Sequence, residues 1–257
     1  AIVSARAKSD KLDAACLARL LRIDTIPVSY VPPRPYAELR ELTRARARLS
    51  QGRTQAINGL HRLLAARNEH SPFRTPLCRR GRRWMASLEL GVSGNLQRDE
   101  MLRRVAHYDE ELHILDGALA GLADSFPEAA ALTCLHGVGL YSALLIVAEI
   151  GEPDRFSNPR QVGAYAGLTA RVDQSGSHSY YGHITRQGSP WLRWVLVQAA
   201  MKVVKKDAKL SAFYQRVRKR SSRHIARVAV ARKLAGICWV RLRRWQREHG
   251  SEVSAAD

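Results

Sequence analysis

The sequence predicts a mainly α-helical protein that contains one long non-helical segment. Apolar residues recur at helical spacing through most of the 257 residues, most clearly in residues 36–67 and 101–122. Residues 168–193, LTARVDQSGSHSYYGHITRQGSPWLR, lack this period and lie between two predicted helices. With 46% hydrophobic residues, a chain of this length can bury a substantial core, which excludes wholesale disorder.

The composition is strongly basic. The chain has 42 lysine and arginine residues against 23 aspartate and glutamate residues, a formal net charge of +19 and a pI of about 10.6. Such an excess must contact a polyanion or be screened by salt. Most of the basic residues are arginines, whose guanidinium groups bind phosphate oxygens in pairs. Nucleic acid is therefore the leading class of partner.

The sequence offers no sign of a membrane or disulfide protein. No apolar run approaches the length of a membrane span, and the N-terminus lacks the pattern of a signal peptide. The four cysteines are far apart without a CxxC pair, which indicates neither a zinc ribbon nor a disulfide framework. We expect an intracellular, cytoplasmic protein without a membrane partner.

The first predicted helix carries two acids. It begins after Ser9, a favourable N-cap, and Asp10 and Asp13 share one face of its first turns. Two such carboxylates can bind a hard cation such as Mg²⁺, or they can simply stabilise the helix dipole. The chain has no initiating Met, so we expect it to be part of something longer.

A predicted helix from Tyr36 to Arg67 follows a proline-rich connector. Arg40, Arg44 and Arg48 stack along it at intervals of four residues, which destabilises an isolated helix. An external phosphate backbone would neutralise this stack, and a solvated basic face is the alternative. Residues 68–95 are irregular and basic, and we expect a loop there, with Trp84 packing in the core.

Residues 101–122 have a heptad seam. The apolar residues Met101, Val105, Tyr108, Leu112, Leu115, Leu119 and Leu122 alternate spacings of four and three. A helix with this pattern should pair with the Tyr36–Arg67 helix or with a second subunit. We therefore expect a helical hairpin arm that can also form homo-oligomers, dimers or tetramers, and that Pro127 ends.

Residues 131–151, ALTCLHGVGLYSALLIVAEIG, have the form of a helix-hairpin-helix motif. Gly137 and Gly139 flank the turn, and glycine lets backbone amides at a helix N-terminus approach a phosphate. An ordinary turn between two helices is the alternative.

The non-helical segment is followed by basic helices. Ser189 and Pro190 are typical of the start of a helix through Lys206, and further helices are predicted over residues 210–220 and from Arg223 to about Glu248. Within the segment, His178 and His183 are candidates for moving a proton, although ordinary polar loop roles are favoured.

Four blocks along the chain, taken in order, resemble one protein family. The blocks are KSDKLDAACLARLL with VPP and LRELTRARARL; LHGVGLYSALLIVAEIG; the series GAYAGL, QSG and ITRQGSPWLR; and FYQRVRKR with VARKLAGI. Together they run from Lys8 to Arg244 and are similar to the transposases of insertion-sequence family 110, also numbered 116 and 902, relatives of the pilin-gene DNA invertases.

The resemblance implies an architecture of several parts. It implies that residues 1–30 are the end of a RuvC-like domain of RNase H fold, 31–127 a coiled-coil arm with a basic loop at 68–95, 128–250 a helical transposase domain with the helix-hairpin-helix and a serine loop at 168–189, and 251–257 a tail.

The resemblance also implies a mechanism. The last two acids of a Mg²⁺-binding DEDD set fall on Asp10 and Asp13, and an essential serine falls on Ser175. The serine hydroxyl would attack a DNA phosphodiester to give a phosphoserine link, and a non-coding guide RNA would pair with the DNA. Positive charge is needed around the departing oxyanion. We expect nucleic-acid contacts from Arg171, Arg186, Arg193, Arg232 and Lys233, besides the arginine stack and the turn glycines.

The sequence departs from the family pattern at its start. The first Asp and the Glu of the acid set should lie on strands upstream of Ala1, so Mg²⁺ binding needs acids that this chain lacks, and the chain alone is expected to be inactive. Two alternatives to a recombinase stay open: a non-catalytic DNA- or RNA-binding remnant, and a metal-dependent junction nuclease that uses Asp10 and Asp13 but not Ser175.

Overall fold

The protein is mainly α-helical, as the sequence predicts. The computed structural model describes the backbone of residues 9–26, 29–175 and 178–253, and their side chains apart from 172–181 and 250–253. The chain divides into two compact units, residues 1–33 and 34–257. The helices of the described residues are α1 Asp10–Arg22, α2 Arg34–Ala65, α3 Arg79–Ser87, α4 Gly91–Gly121, α5 Ala130–Thr133, α6 Leu140–Ile150, α7 Pro159–Tyr165, α8 Pro190–Val203, α9 Ala208–Arg220 and α10 Arg223–Val253, with short 3-10 turns at Ala123–Ser125, Pro127–Ala129 and Pro153–Arg155. None of these helices combines the length and apolar character that crossing a membrane requires.

The described part of the first unit consists of α1 and its flanking residues. Ser9 is the N-cap, as predicted, and its hydroxyl accepts a hydrogen bond from the Leu12 amide at 3.3 Å. Within the described part, α1 has no buried residue. Leu12, Leu17 and Leu21 are therefore exposed apolar side chains on this helix.

The heptad seam of α4 packs on α2, which is the first of the two pairings that the sequence left open. Val105 and Leu119 are buried at 0% and 2% exposure, and Tyr108 is half-buried. Close approach requires a small residue on α2, because a Cβ at Gly52 would lie 2.7 Å from the Tyr108 ring. Ion pairs flank the seam, with Arg46 bidentate to Asp116 and Arg53 and Arg82 both donating to Asp109.

The predicted loop over residues 68–95 is wrong for its second half, which contains α3 and the start of α4. The Cys78 thiol accepts from the Gly81 amide at 3.3 Å and so caps α3. Four arginines in nine residues hid the amphipathic pattern of α3, which buries Met85 in a small cluster with Leu63, Leu64 and Leu90, with Trp84 packed against it.

The main core surrounds α6. Every side chain from Ala143 to Ile150 is at most 1% exposed, including the single acid Glu149. Helices α2, α5 and α8 pack on α6, and α10 packs on α7, α8 and α9. An all-round apolar helix is stable only inside a protein, so α6 is the central element of this unit.

The C-terminal helices follow the prediction with shifted ends. Ser189 caps α8 by accepting from the Leu192 amide at 3.1 Å, but the helix ends at Val203 and not at Lys206. Helix α10 continues to Val253, so the predicted tail of residues 251–257 begins as helix.

Candidate active site and nucleic-acid interface

The segment predicted as a serine loop is a β-hairpin, so the expectation of a loop at 168–189 is wrong. Strand β1, Ala170–Ser175, pairs antiparallel with β2, His178–Ile184, with an irregularity between Ala170 and Val172. Valine, tyrosine and isoleucine in these strands favour extended backbone. Apolar and polar side chains alternate only weakly in this segment, so the sequence did not predict the strands. The backbone hydrogen bonds that pair them do not depend on side-chain identity.

Ser175 lies at the end of the hairpin ladder. It is the last residue of β1, and its Cα pairs with that of His178, with Gly176 and Ser177 between them. Gly176 and Ser177 lie outside the described residues, as do the side chains of Ser175 and His178. Gln174 and Ser175 of the QSG motif therefore end β1, next to the connection between the two strands.

The base of the hairpin is tied to the helical body by backbone contacts. The Ser189 amide donates to the carbonyl of Tyr165 in α7 at 2.9 Å, while the Thr185 amide donates to the Thr169 carbonyl at 2.9 Å and closes the base of the hairpin itself. Gly188 has a φ of 112°, and a Cβ there would lie 2.0 Å from the Tyr165 oxygen. Only glycine fits this position, so the path into α8 is set by close backbone contact.

A buried carboxylate connects the hairpin base with the arm. Arg44 of α2 binds both oxygens of Glu149, at 2.6 and 3.0 Å, and the Ser189 hydroxyl donates to Glu149 Oε2 at 2.8 Å. Arg40 donates to the carbonyls of Ala148 and Glu149. One network therefore joins α2, the end of α6 and the start of α8.

This network bears on the arginine stack, for which the sequence left a phosphate backbone and a solvated basic face open. Arg44 pairs with Glu149, and Arg40 donates to the carbonyls of Ala148 and Glu149, so both arginines have partners inside the chain. Arg48 is exposed, and it stays a candidate for a phosphate contact.

Three arginines near the hairpin differ in their surroundings. Arg193 is half-buried and donates to the carbonyls of Ala166 and Arg186, at 3.1 and 3.2 Å. Burial, and secondarily the charge of Arg186, lowers the pKa of Arg193. Arg186 is exposed with a φ of 55°, and Arg171 is also exposed. Arg193 therefore secures the hairpin base, while Arg171 and Arg186 have exposed side chains beside it.

A wide groove opens between the base of the hairpin and helices α7, α9 and α10. Its volume is about 1130 Å³. The apolar side chains that line it include Ile184, Phe213 and Ile225, and we call this apolar lining its floor. The charged and titratable residues that line it are Arg160, His183, Arg186, Asp207, Lys209, His224, Arg232 and Lys233. The predicted candidates Arg186, Arg232 and Lys233 thus share one groove, and His183 lines it with them.

The predicted helix-hairpin-helix has a short first helix. Only Ala130–Thr133 is α-helical before the turn, and α6 begins at Leu140 with Gly139 as its N-cap. Gly137 has a φ of 83°, and a Cβ there would lie 2.3 Å from Lys202 Cβ. Gly139 has ordinary backbone angles, and no atom lies within 4 Å of a Cβ built on it. The two glycines therefore have different roles: Gly137 forms the turn, and Gly139 leaves the helix N-terminus open.

Asp10 and Asp13 lie in the first turn of α1. Asp10 is exposed and Asp13 is half-buried. Among the described residues, no group of three or more histidine, cysteine, aspartate or glutamate side chains is arranged to hold a metal ion. Two carboxylates alone do not make up the donor set of a two-metal site. Lys8, the first residue of the KxDxxDA motif, lies outside the described residues.

Sequence reasoning missed several residues of these sites. Glu149 had a visible signal, since it is the one charged residue in LLIVAEIG. Arg160, Lys209 and His224 had none, because they come from separate helices that only the folded chain brings to one groove.

Comparison with known proteins gives two family matches. A model described as "Transposase IS116/IS110/IS902 family" matches residues 129–215. The model of the DEDD transposase domain of the IS110 type matches residues 1–68. A DEDD domain implies the use of divalent metal ions in general.

Curated relatives cover most of the chain. A probable family 20 transposase of Pseudomonas aeruginosa is 29% identical over 258 residues, which cover 92% of this chain and 73% of the relative. The transposase for insertion sequence element IS1111A of Coxiella burnetii is 25% identical over 254 residues, covering 92% of this chain and 67% of the relative. A putative transposase of Sinorhizobium fredii, y4rJ, is 30% identical over 217 residues, covering 76% of this chain and 54% of the relative. The chain thus spans between about half and three quarters of these relatives.

Proposed function

Because the chain belongs to the IS116/IS110/IS902 transposase family, we propose that it cuts and rejoins DNA strands with Ser175 as the nucleophile. The observation that carries this proposal is the position of the QSG motif at the connection of a hairpin whose base is locked to a basic helical body. A nucleophile must be held in one geometry and still be reachable by a long polymer, and a short hairpin on a rigid scaffold meets both needs.

The proposed reaction has two steps. In the first, the Ser175 oxygen attacks a phosphodiester phosphorus, a serine–phosphate bond forms, and one DNA strand end leaves as a hydroxyl after taking up a proton. The serine proton passes to a base. In the second, a freed strand-end hydroxyl attacks the phosphoserine and restores both the DNA backbone and the serine, so no net oxidation or hydrolysis occurs.

Positive charge near the departing oxygen lowers the barrier to each step. Arg171 and Arg186 are exposed and lie on or beside the hairpin, so we propose them for this role. Arg193 donates to two backbone carbonyls, and we propose that it positions the hairpin. His183 is exposed on β2 and is a candidate for moving a proton.

We propose Asp10 and Asp13 as two ligands of the divalent metal that the DEDD class uses. Among the described residues no third histidine, cysteine, aspartate or glutamate is arranged with them to hold a metal, so the remaining donors would come from another part of the protein or from a partner chain. Bound metal would activate the nucleophile or the leaving group. No step above is routed through it, because the donor set of the described residues is incomplete.

The wider assignments rest on the same family membership. We propose that residues 1–30 end a RuvC-like domain, that residues 31–127 form an arm, and that residues 128–250 form a transposase domain whose helix-hairpin-helix contacts phosphates at the open N-terminus of α6. A guide RNA and a homo-oligomer are part of this proposal. A binding protein without catalysis, and a metal-dependent junction nuclease, are the competing functions.

Trapping a covalent adduct tests the proposal. The protein is incubated with Mg²⁺ and labelled DNA from the end of the element, and is then denatured. If the isolated chain gives no adduct, the incubation is repeated with a full-length relative. We expect a protein–DNA adduct that Ser175→Ala abolishes and that the matched variant Ser177→Ala, two residues away, retains. Mg²⁺-dependent cutting that survives Ser175→Ala would support the nuclease. Binding in every variant without any adduct would support the non-catalytic protein.

A further inference from the structure

We propose that the groove between the hairpin base and helices α7, α9 and α10 binds an unpaired strand of nucleic acid. This inference deepens the proposed function and rests on it for the source of the strand, since strand exchange exposes single strands. The binding itself is argued from the groove and does not depend on Ser175 chemistry.

Charge identifies a polyanion as the occupant. Among the residues whose side chains the structure describes, five lysines and arginines and two histidines line the groove against one acid, Asp207. That acid is already used as the N-cap of α9, where it accepts from the Leu210 amide at 2.9 Å. Within the described part of the chain, no carboxylate forms an ion pair with the lysines and arginines of the groove. Their charge is available to phosphates.

The floor distinguishes a single strand from a duplex. Two large apolar side chains in the groove are more than half exposed, Ile225 at 56% and Val240 at 51%. The Phe213 ring also lines the groove, with the Lys233 ammonium 4.0 Å from its centroid. A duplex keeps its base faces stacked inside and offers only phosphates and groove edges to a protein. An unpaired strand offers base faces to apolar side chains and phosphates to basic side chains, and both kinds of side chain line this groove.

The groove is also placed for this task. Its lining includes Gly182, His183 and Ile184 of β2, the strand that begins at the partner of Ser175. A nucleic-acid strand that lies in the groove therefore contacts the hairpin that carries Ser175, at the end of the hairpin opposite the QSG motif. In this arrangement the groove holds the nucleic acid while Ser175 reacts.

Binding is measured by fluorescence anisotropy with labelled mixed-sequence single strands of DNA and RNA and with the matching duplex. All proteins carry Ser175→Ala, so a failure of the proposed chemistry cannot affect the result. The groove variant is Arg160→Ala with Arg232→Ala. The control is Arg62→Ala with Arg103→Ala, which removes the same charge from exposed positions on α2 and α4.

We expect the groove variant to lower the salt slope of single-strand binding by about 1.4, because each lost phosphate contact on a single strand removes about 0.7. Its loss of affinity should then be about sevenfold larger at 50 mM than at 200 mM salt. The control should change the slope by less than half as much. A photoreactive strand should crosslink to residues 208–237, and the tighter of the DNA and RNA arms identifies the source of the strand.

Four results would overturn the proposal. One is an equal effect of the control variant. Another is a higher affinity for the duplex than for the single strand, together with an equal loss of duplex affinity in the groove variant. The third is self-association that disappears in Ile225→Ser while single-strand binding stays unchanged, since the floor would then be a contact between copies. Crosslinks confined to α2 and α4 would also reject the site, even if the groove variant folded poorly.

Discussion

Replacing Arg44 by methionine would leave the Glu149 carboxylate without its guanidinium partner. Glu149 is fully buried, and Arg44 supplies hydrogen bonds to both of its oxygens, at 2.6 and 3.0 Å. Methionine keeps the aliphatic length of arginine, so the change removes charge with little loss of packing. The prediction therefore isolates an uncompensated buried charge.

The expected cost is about 3 kcal/mol of unfolding free energy. Breaking a buried ion pair from one side costs about 3–5 kcal/mol, because the remaining charge stays desolvated. Two features place this site at the lower end of the range. The Ser189 hydroxyl still donates to Glu149 Oε2 at 2.8 Å, and the Arg44 side chain is 32% exposed, so water reaches the edge of the site.

The reverse substitution should be cheaper. In Glu149→Gln the amide oxygen can still accept from Ser189, and the partly exposed guanidinium of Arg44 can be hydrated. We expect a cost of about 1.5–2 kcal/mol, the loss of a charge-assisted hydrogen bond. The double variant Arg44→Met with Glu149→Met should cost less than the sum of the single changes, because no charge is left buried.

Urea unfolding followed by circular dichroism measures these differences. Arg34→Met is the control, because the Arg34–Glu38 pair is 90% and 62% exposed and should contribute less than about 0.5 kcal/mol. Glu149 is not a buried charge that depends on Arg44 if Arg44→Met lowers the unfolding free energy no more than this control does. The same holds if Glu149→Gln lowers it more than Arg44→Met does.

Three further predictions concern two glycines and the pH dependence of stability. Gly137→Ala should destabilise the fold by at least about 1–2 kcal/mol, since its φ is 83° and the new Cβ meets Lys202. Gly139→Ala should leave stability within about 0.5 kcal/mol but weaken DNA binding if phosphates approach the α6 N-terminus; unchanged binding would remove that phosphate site. Burial raises the pKa of Glu128, which accepts from the Tyr36 hydroxyl at 2.9 Å. Because the pKa of Glu128 is raised in the folded state, its protonated carboxyl stabilises the fold at low pH, and this contribution is lost as the pH rises. Glu128→Gln should therefore gain stability relative to the parent protein between pH 4 and pH 7. Urea melts that give the same stability difference at both pH values would contradict this.

Much of the fold follows from local sequence pattern. The caps at Ser9 and Ser189 depend on residues close in the chain, and the apolar faces of α2 and α4 repeat at helical spacing, so both kinds of feature leave local signals in the sequence. The family resemblance likewise rests on short motifs that occur in order between Lys8 and Arg244. The family matches to residues 1–68 and 129–215 agree with it.

The missed features depend on contacts between distant residues. Strands β1 and β2 are held by a ladder and by a base locked onto Tyr165, and the turn-like composition of QSGS hid them. Helix α3 was hidden because arginines occupy its exposed face and its apolar residues find their partners on α2 and near α4. The hairpin base and α3 are therefore each fixed by contacts with residues outside their own segments, Tyr165 in the first case and residues of α2 in the second.

The sequence by itself determined the helical class, the basic character, the order of motifs and the family, because composition and spacing are properties of the chain. Only the tertiary structure decided that Arg44 neutralises Glu149 instead of a phosphate, and that Arg160, Arg186 and Arg232 share one groove. The physical reason is that a charge acts on whatever lies within a few ångströms of it, and folding chooses those neighbours.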